Sequence, residues 1–129
     1  MPRILLLDAD ALLARNLTRA LNTAGHDVDW QVQPQEAITA VDAVRPEAII
    51  LDLLLGAKSA IEFLYELRSY PEWQSIPIII FSGLPLAELG ESADALQHLN
   101  IHAFYYKSQT TLTELIASLQ QALQPAHAK

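Results

Sequence analysis

Cysteine is missing from this chain of 129 residues, and positive charge is scarce. Without cysteine the chain can form neither a disulfide framework nor a thiolate metal site. This fits a reducing compartment, and we expect the protein to be located in the cytoplasm. There are 8 Lys and Arg residues against 15 Asp and Glu, a net charge of -7, and the basic residues are scattered. Because affinity for phosphate backbones comes mostly from Lys and Arg, we expect no direct binding to nucleic acid or to an anionic membrane.

Long hydrophobic runs are missing as well. The longest uncharged apolar runs, such as residues 4–7, 48–51 and 78–81, are far shorter than the roughly 20 residues that a membrane helix needs. The first three residues lead directly into such a run, and an acid ends it, so the start does not look like a secretory signal. With 51% hydrophobic and 18% charged residues, the chain suits one compact domain.

Five short apolar runs alternate with segments of helical spacing. The last of these segments shows the spacing most clearly, because apolar residues recur there every three or four positions. Strands that alternate with helices pair in parallel through crossovers, so we predict an α/β fold with a single doubly wound sheet of five parallel strands. An α+β domain with some antiparallel pairing is the alternative. The predicted strands are residues 3–7, 28–32, 48–51, 78–81 and 103–106.

Individual residues indicate where these elements end. The run at residues 28–32 alternates apolar and polar residues, as an edge strand does. Ser59 and Thr111 each precede a glutamate by three residues, the spacing of a capping box, so helices should begin near both. Gly25 should close the first helix in the left-handed conformation. We expect one domain over residues 1–124 and a short tail after it.

Four polar side chains end apolar strands: Asp8, Asp52, Ser82 and Lys107. In an open parallel sheet the carboxyl ends of the strands meet at one edge, so these side chains should lie together, and Asp52 then needs no place in the core. Carboxylates that lie close together repel unless a cation separates them, and Mg²⁺ prefers carboxylate and phosphate oxygens. With Mg²⁺ and Lys107 neutralising charge, Asp52 would be able to attack a phosphoryl group.

The order of these motifs resembles the receiver domain of two-component response regulators. An acid follows the first strand, LDLLLG lies at the third, FSG at the fourth and YYKS at the fifth, and the resemblance runs from residue 3 to about residue 123. It implies the flavodoxin-like (βα)5 fold and a signalling role in a phosphorelay rather than an enzyme activity. The implied partners are a histidine kinase or phosphotransfer protein and a downstream protein target, and receivers often pair as homodimers through the fourth helix, fifth strand and fifth helix.

The resemblance also implies a role for each matching residue. Asp52 matches the phosphoacceptor, and Lys107 matches the lysine that contacts the phosphoryl group. Ser82 matches the hydroxyl residue that moves toward the phosphoryl group on activation. Phe104 matches the aromatic switch residue whose rotamer follows that movement.

The metal ligands are where the sequence departs from the family. Asp8, Asp52 and the backbone carbonyl of Leu54 match ligands of Mg²⁺, but the family usually has two adjacent acids, and the second position here is Ala9. Since alanine cannot bind a metal, Mg²⁺ binding should be weak or absent. Asp10 is an alternative ligand, but an aspartate just before a helix is also a good N-cap, and we favour capping.

Two functions therefore remain open at this point. The chain is either a phosphoaccepting receiver with weakened Mg²⁺ affinity or a pseudo-receiver that has lost metal and phosphate chemistry and serves as a protein-docking module. We favour the first because Asp52, Ser82 and Lys107 are all present, and a fold alone decides nothing about activity. A nucleotide-binding enzyme is disfavoured, because the first turn carries two acids where a phosphate cradle needs glycines.

Overall fold

The structure, a computed structural model, describes residues 2–55 and 57–124, except for the side chains at positions 55, 57, 58 and 92. The predicted tail at residues 125–129 lies outside the described residues. The strands are β1 (Arg3–Leu7), β2 (Asp27–Gln31), β3 (Ala48–Leu51), β4 (Ile78–Ser82) and β5 (Ala103–Tyr106). The helices are α1 (Ala11–Thr23), α2 (Pro34–Ala43), α3 (Ala57–Ser69), α4 (Glu91–Gln97) and α5 (Leu112–Ala122).

The five strands form one parallel sheet in the order β2-β1-β3-β4-β5. This order confirms the predicted α/β fold and the place of β2 at an edge. The chain moves outward from β1 to β2 and then crosses to β3 on the other side of β1, so the strand order reverses between β1 and β3. Ligands of such sheets bind beyond the carboxyl ends of the strands at this point of reversal.

The sheet separates two apolar layers. Alternate residues of a strand point to opposite faces, and both faces are covered by helices, which is why the central strands are continuously apolar. One layer contains buried residues of α2, α3 and α4, and the other contains buried residues of α1 and α5. The first layer takes Leu5, Leu7, Ile49, Leu51, Ile78 and Ile80 from the sheet, and the second takes Ile4, Leu6, Ala48, Ile50, Ile79 and Phe81.

The predicted helix ends are partly confirmed. Thr111 caps α5 with a complete capping box, and Gly25, just after α1, has a φ of +96°. A helix that begins near Ser59 is confirmed, but α3 begins at Ala57, so Ser59 is the third residue of the helix and not its N-cap. The spacing of a capping box is a local signal, and here the helix follows a short 3₁₀ turn after β3 so closely that it has begun before the hydroxyl is reached.

The fourth helical segment breaks at Gly90. This residue has a φ of +57° and separates a 3₁₀ turn, Leu86–Glu88, from α4, which has only 7 residues. Such a short helix depends on packing rather than on its own propensity. In the described part of the chain, no helix has the length and apolar character needed to cross a lipid bilayer.

Arg68 joins the end of α3 to two loops. Its guanidinium donates hydrogen bonds at 2.8 or 2.9 Å to backbone carbonyls in the segments that precede β4 and β5. Burial lowers the pKa of Arg68 below its usual value. The four acceptors are the carbonyl oxygens of Trp73, Gln74, Leu99 and Asn100.

Replacing Arg68 by methionine should lower the free energy of unfolding by about 1 to 2 kcal/mol, because the backbone carbonyls that accept hydrogen bonds from the guanidinium lose their donor. Methionine keeps most of the aliphatic stem, so packing is largely preserved. Urea denaturation measures the change. Arg68→Lys should recover only part of the loss, since an ammonium group cannot reproduce the planar fork of donors. A full recovery with lysine would contradict this account.

Candidate functional site

Three charged side chains meet at the carboxyl edge of the sheet. The Lys107 ammonium nitrogen lies 2.9 Å from Asp8 Oδ2 and 2.8 Å from Asp52 Oδ2. The last residues of β1 and β3 are paired in register, so the two carboxylates that follow them leave the sheet side by side. Lys107 directly follows β5. We refer to Asp8, Asp52 and Lys107 as the ion cluster; its formation confirms that these side chains converge.

Asp52 is buried, although its position at a strand end did not require it to be. Its exposed fraction is 3%, and that of Asp8 is 1%. Neighbouring segments close over the strand ends; for example, the indole N–H of Trp30 donates to the backbone carbonyl of Asp8 at 2.8 Å. A buried carboxylate is stable only where it is paired and hydrogen-bonded, and the ammonium group of Lys107 supplies the pairing charge.

Each carboxylate oxygen of the ion cluster accepts at least one hydrogen bond. Asp52 Oδ1 accepts from the backbone N–H of Leu54 at 3.0 Å and of Gly83 at 3.3 Å. Asp8 Oδ1 accepts from the backbone N–H of Asp10 at 2.8 Å. The lysine ammonium donates to the two remaining oxygens. These donors stabilise two like charges that are buried side by side.

Two carboxylates and one ammonium group leave the ion cluster with one net negative charge. Burial raises the pKa of Asp8, and the charge of Asp52 adds to that effect, while hydrogen bonds from Asp10 and Lys107 oppose it. For Lys107, burial alone lowers the pKa, but hydrogen bonds and attraction from both carboxylates outweigh burial and raise it above the usual 10.5. The site thus favours cations and protons.

Ser82 and Phe104 lie next to the ion cluster in the sheet but outside it. Ser82 ends β4, is fully buried, and its hydroxyl accepts a hydrogen bond from the backbone N–H of Leu84 at 2.9 Å. Within the described residues, no hydrogen bond joins this hydroxyl to either carboxylate. Phe104 is partly buried on β5 and packs against the layer that contains α2, α3 and α4. Both predicted switch residues are therefore within the sheet, Ser82 on β4 and Phe104 on the edge strand β5.

Asp10 caps α1. Its side chain accepts a hydrogen bond from the backbone N–H of Leu13 at 3.2 Å. Ala9, which precedes it, is exposed and carries no ligand atom on its side chain. The contact to Leu13 favours the capping role of Asp10 over metal binding.

Replacing Asp10 by alanine should lower the free energy of unfolding by about 1 kcal/mol, because the first turn of α1 loses its side-chain acceptor. Mg²⁺ affinity should stay the same. The two quantities are measured by urea denaturation and by calorimetric Mg²⁺ titration. A variant of unchanged stability that binds Mg²⁺ more weakly would assign Asp10 to the metal instead.

The oxygen atoms at this edge of the sheet are sufficient for a minimal Mg²⁺ site. The available groups are the carboxylates of Asp8 and Asp52 and the backbone carbonyl of Leu54. Among the described residues, no group of three or more acidic, His or Cys side chains is placed to hold a metal ion. Mg²⁺ is commonly bound by one or two carboxylates and otherwise by water and phosphate oxygens, so these residues fit a weak site.

Two contacts of the ion cluster were not predicted from the sequence. Gly83 donates its N–H to Asp52, and a Cβ atom at this glycine would collide with the side chain of Leu54. Trp30 holds the carbonyl of Asp8 from the edge strand β2. The glycine in FSG is a detectable signal for a close approach, whereas the Trp30 contact depends on the pairing of β1 with β2.

A family model described as the response regulator receiver domain matches residues 4–120 of this chain. Among curated proteins, the chain is 26% identical to a protein-glutamate methylesterase/protein-glutamine glutaminase from Anaeromyxobacter dehalogenans, over 94% of this chain and 37% of that protein. It is 29% identical to the phosphate regulon transcriptional regulatory protein PhoB of Rhizobium meliloti, over 98% of this chain and 54% of that protein. This chain thus spans about half or less of the length of these relatives.

Solved structures share the fold. A sensor protein from Polaromonas sp. JS666 superposes with a TM-score of 0.83 at 27% identity, covering 95% of each chain. The chemotaxis response regulator CheY4 of Vibrio cholerae superposes with a TM-score of 0.81 at 20% identity, covering 95% of this chain and 99% of that one. At this level of identity the second likeness concerns the flavodoxin-like fold alone.

Proposed function

This chain belongs to the response regulator receiver family, and from that membership we propose that it accepts a phosphoryl group on Asp52 and passes the signal to a protein partner. The observation that supports the proposal best is the ion cluster, in which Lys107 bridges the buried carboxylates of Asp8 and Asp52. A buried carboxylate beside a fixed cation is suited to a reaction that brings a phosphoryl group, with its negative charge, to the same place.

In the proposed reaction, a carboxylate oxygen of Asp52 forms a bond to phosphorus while the bond from phosphorus to the donor breaks. The leaving group departs with the electron pair and is protonated by its surroundings. Asp52 Oδ1 is held by two backbone N–H groups, which orients the carboxylate before the donor arrives. Lys107 then faces the charge that develops on the phosphoryl oxygens.

Mg²⁺, when bound by Asp8, Asp52 and the carbonyl of Leu54, supplies further positive charge to the phosphoryl oxygens. The remaining steps belong to the chain itself. Ser82 leaves its contact with Leu84 and donates its hydroxyl hydrogen to a phosphoryl oxygen, and Phe104 changes rotamer as Ser82 moves. This change shifts the population of two states of the surface beside β4 and β5.

The phosphoryl donor is a histidine kinase or a phosphotransfer protein, and the output is a downstream protein target, both in the cytoplasm. The activities named for longer relatives belong to those proteins. The second candidate is a pseudo-receiver that acts only as a docking module, and the alanine at position 9 favours it.

Intact-mass measurement tests the phosphoacceptor. The wild type is mixed with Mg²⁺ and acetyl phosphate, and we expect one phosphoryl adduct. Asp52→Asn should give none. Asp10→Asn is the matched control, because asparagine preserves the cap of α1 and this variant should still form the adduct. An adduct on Asp52→Asn would move the acceptor elsewhere, and no adduct on the wild type at any Mg²⁺ concentration would favour the pseudo-receiver.

A further inference from the structure

Trp30 is placed to hold the segment that carries Asp8. Its indole ring projects from the edge strand β2 and is partly buried against the layer that contains α1 and α5. The indole N–H donates to the backbone carbonyl of Asp8 at 2.8 Å. Because packing restrains the ring, its N–H stays in one place and restrains the carbonyl in turn. The mechanism proposed above does not use this contact.

The contact fixes the peptide group that joins Asp8 to Ala9. A peptide group is planar, so an indole that holds its carbonyl also sets the direction in which the chain leaves Asp8. The backbone N–H of Asp8 donates to the carbonyl of Gln31 at 3.1 Å. Strand β2 therefore holds both backbone polar groups of Asp8, one through its own backbone and one through the side chain of Trp30.

The carboxylate of Asp8 depends on the same geometry. Its Oδ1 accepts from the backbone N–H of Asp10 at 2.8 Å, and its Oδ2 accepts from Lys107 at 2.9 Å. The first of these bonds closes a turn over residues 8–10, and the turn requires one orientation of the peptide group between Asp8 and Ala9. The indole thus acts on the carboxylate through the backbone.

The alanine at position 9 increases the importance of this contact. The receiver family usually has an acid there, which ligates the metal directly, whereas the Ala9 side chain is exposed and has no ligand atom. The order of residues 8–10 must therefore come from the protein itself. In the described part of the chain, the side chains that donate hydrogen bonds to this segment are those of Trp30 and Lys107.

We propose that Trp30 is a positioning residue of the site, whose indole N–H holds the segment from Asp8 to Asp10 in the geometry that Mg²⁺ and the phosphoryl group require, before either arrives. The inference rests on the proposed function, because it concerns the order of the same site. Trp30 contacts neither the metal nor the phosphoryl group. It acts by removing the cost of ordering Asp8 during binding.

Amide hydrogen exchange tests this role without a metal or a phosphodonor. Trp30→Phe keeps an aromatic ring and loses the N–H, so the turn over residues 8–10 should open more often. The Asp10 amide, which donates to Asp8, should then exchange about three to ten times faster, the effect of one lost hydrogen bond. The Leu54 amide is the internal control, because it makes the equivalent contact with Asp52 and should exchange at an unchanged rate.

Trp73→Phe is the matched control variant. It makes the same substitution at a buried tryptophan in the other apolar layer of the sheet. A general loss of stability would accelerate exchange in both variants. We expect Trp73→Phe to leave the exchange of the Asp10 amide within about twofold of the wild type.

Mg²⁺ dependence separates positioning from a general structural role. By calorimetry, the dissociation constant for Mg²⁺ should be about three to ten times larger in Trp30→Phe than in the wild type. The rate of adduct formation with acetyl phosphate should fall by the same factor at limiting Mg²⁺. It should approach the wild-type rate at saturating Mg²⁺, because Asp8 is then ordered as a ligand. Damage to the fold would lower the rate at every Mg²⁺ concentration.

A tryptophan analogue removes the N–H alone. Benzothienylalanine has a sulfur atom in place of the indole N–H and nearly the same shape. The sequence has two tryptophans, so in a Trp73→Phe background the analogue replaces Trp30 only. It should reproduce the faster exchange of the Asp10 amide and the weaker binding of Mg²⁺.

Two results would overturn the proposal: an Asp10 amide whose exchange is unchanged when the N–H is removed, and equal acceleration by Trp30→Phe and Trp73→Phe. Failure of the proposed function gives a different result. A wild type that forms no adduct, while loss of the Trp30 N–H still accelerates exchange of the Asp10 amide, would refute the phosphoacceptor and support the positioning role of Trp30.

Discussion

Replacing Lys107 by methionine should lower the free energy of unfolding at neutral pH by about 3 to 5 kcal/mol, a large part of the stability of a domain this size. The lysine side chain is 12% exposed and is the only Lys or Arg within ion-pair distance of Asp8 and Asp52 in the described residues. Methionine fills similar space but leaves two buried carboxylates facing each other without a cation. Urea denaturation at pH 7 measures the loss.

The loss should shrink in acid, and the sign follows from linkage. Without Lys107, the pKa of Asp8 in the folded chain rises further above 3.8, the usual value, because both burial and Asp52 already raise it. The folded variant then binds a proton at a higher pH than the unfolded chain does, so its stability relative to wild type improves as the pH falls toward 3.8. The loss should also shrink at alkaline pH, because the contribution of Lys107 in the wild type is complete below 10.5 and is lost as the pH rises through its raised pKa.

Arg15→Met is the matched control for Lys107→Met. It removes one positive charge from an exposed position of α1 and should change stability by less than about 0.5 kcal/mol. A Lys107→Met variant that is no less stable than Arg15→Met would contradict the ion cluster. So would a loss of stability that is the same at pH 5 and pH 7.

Replacing Ala9 by aspartate should raise Mg²⁺ affinity by on the order of one hundredfold, the second large effect. The new carboxylate stands next to Asp8 and adds the ligand that the sequence lacks compared with the receiver family. Trp30 reports binding, because its indole contacts the backbone of Asp8, so a fluorescence titration with Mg²⁺ gives the affinity. The rate of adduct formation at limiting Mg²⁺ should rise with it.

Ala9→Asn separates charge from size. Asparagine has nearly the volume of aspartate but adds no negative charge, so its effect on Mg²⁺ affinity should be small. Without Mg²⁺, Ala9→Asp should be less stable than Ala9→Asn, because a third carboxylate repels Asp8 and Asp52. Equal Mg²⁺ affinities for the two variants would show that the missing acid is not what weakens the site.

The strands of the sheet can be predicted from the sequence because a strand that is buried on both faces is apolar at every position. The continuous apolar runs of β1, β3 and β4 and the alternating run of β2 identify the central and edge strands. The start of α3 is not predictable in the same way. Ser59 has the spacing of a capping box, but α3 begins two residues before it, at Ala57.

The sequence predicts that the charged side chains of the site come together, but it does not predict their burial or their hydrogen bonds. The rule that strand ends meet at one edge brings Asp8, Asp52 and Lys107 together. It says nothing about how deeply they are buried, since that depends on segments such as the one that carries Gly83. The hydrogen bond from Trp30 to Asp8 depends likewise on the register between β1 and β2, which no local pattern contains.

The most direct test of the ion cluster is an NMR titration of the lysine side chains in protein labelled with ¹³C at lysine. The sequence has three lysines, at positions 58, 107 and 129, so their ε-carbon signals can be assigned by substitution. We predict that the Lys107 signal titrates at a pKa above 10.5 and that this pKa falls in Asp52→Asn. A Lys107 signal that titrates at the ordinary value and does not respond to Asp52→Asn would contradict the ion cluster and the function built on it.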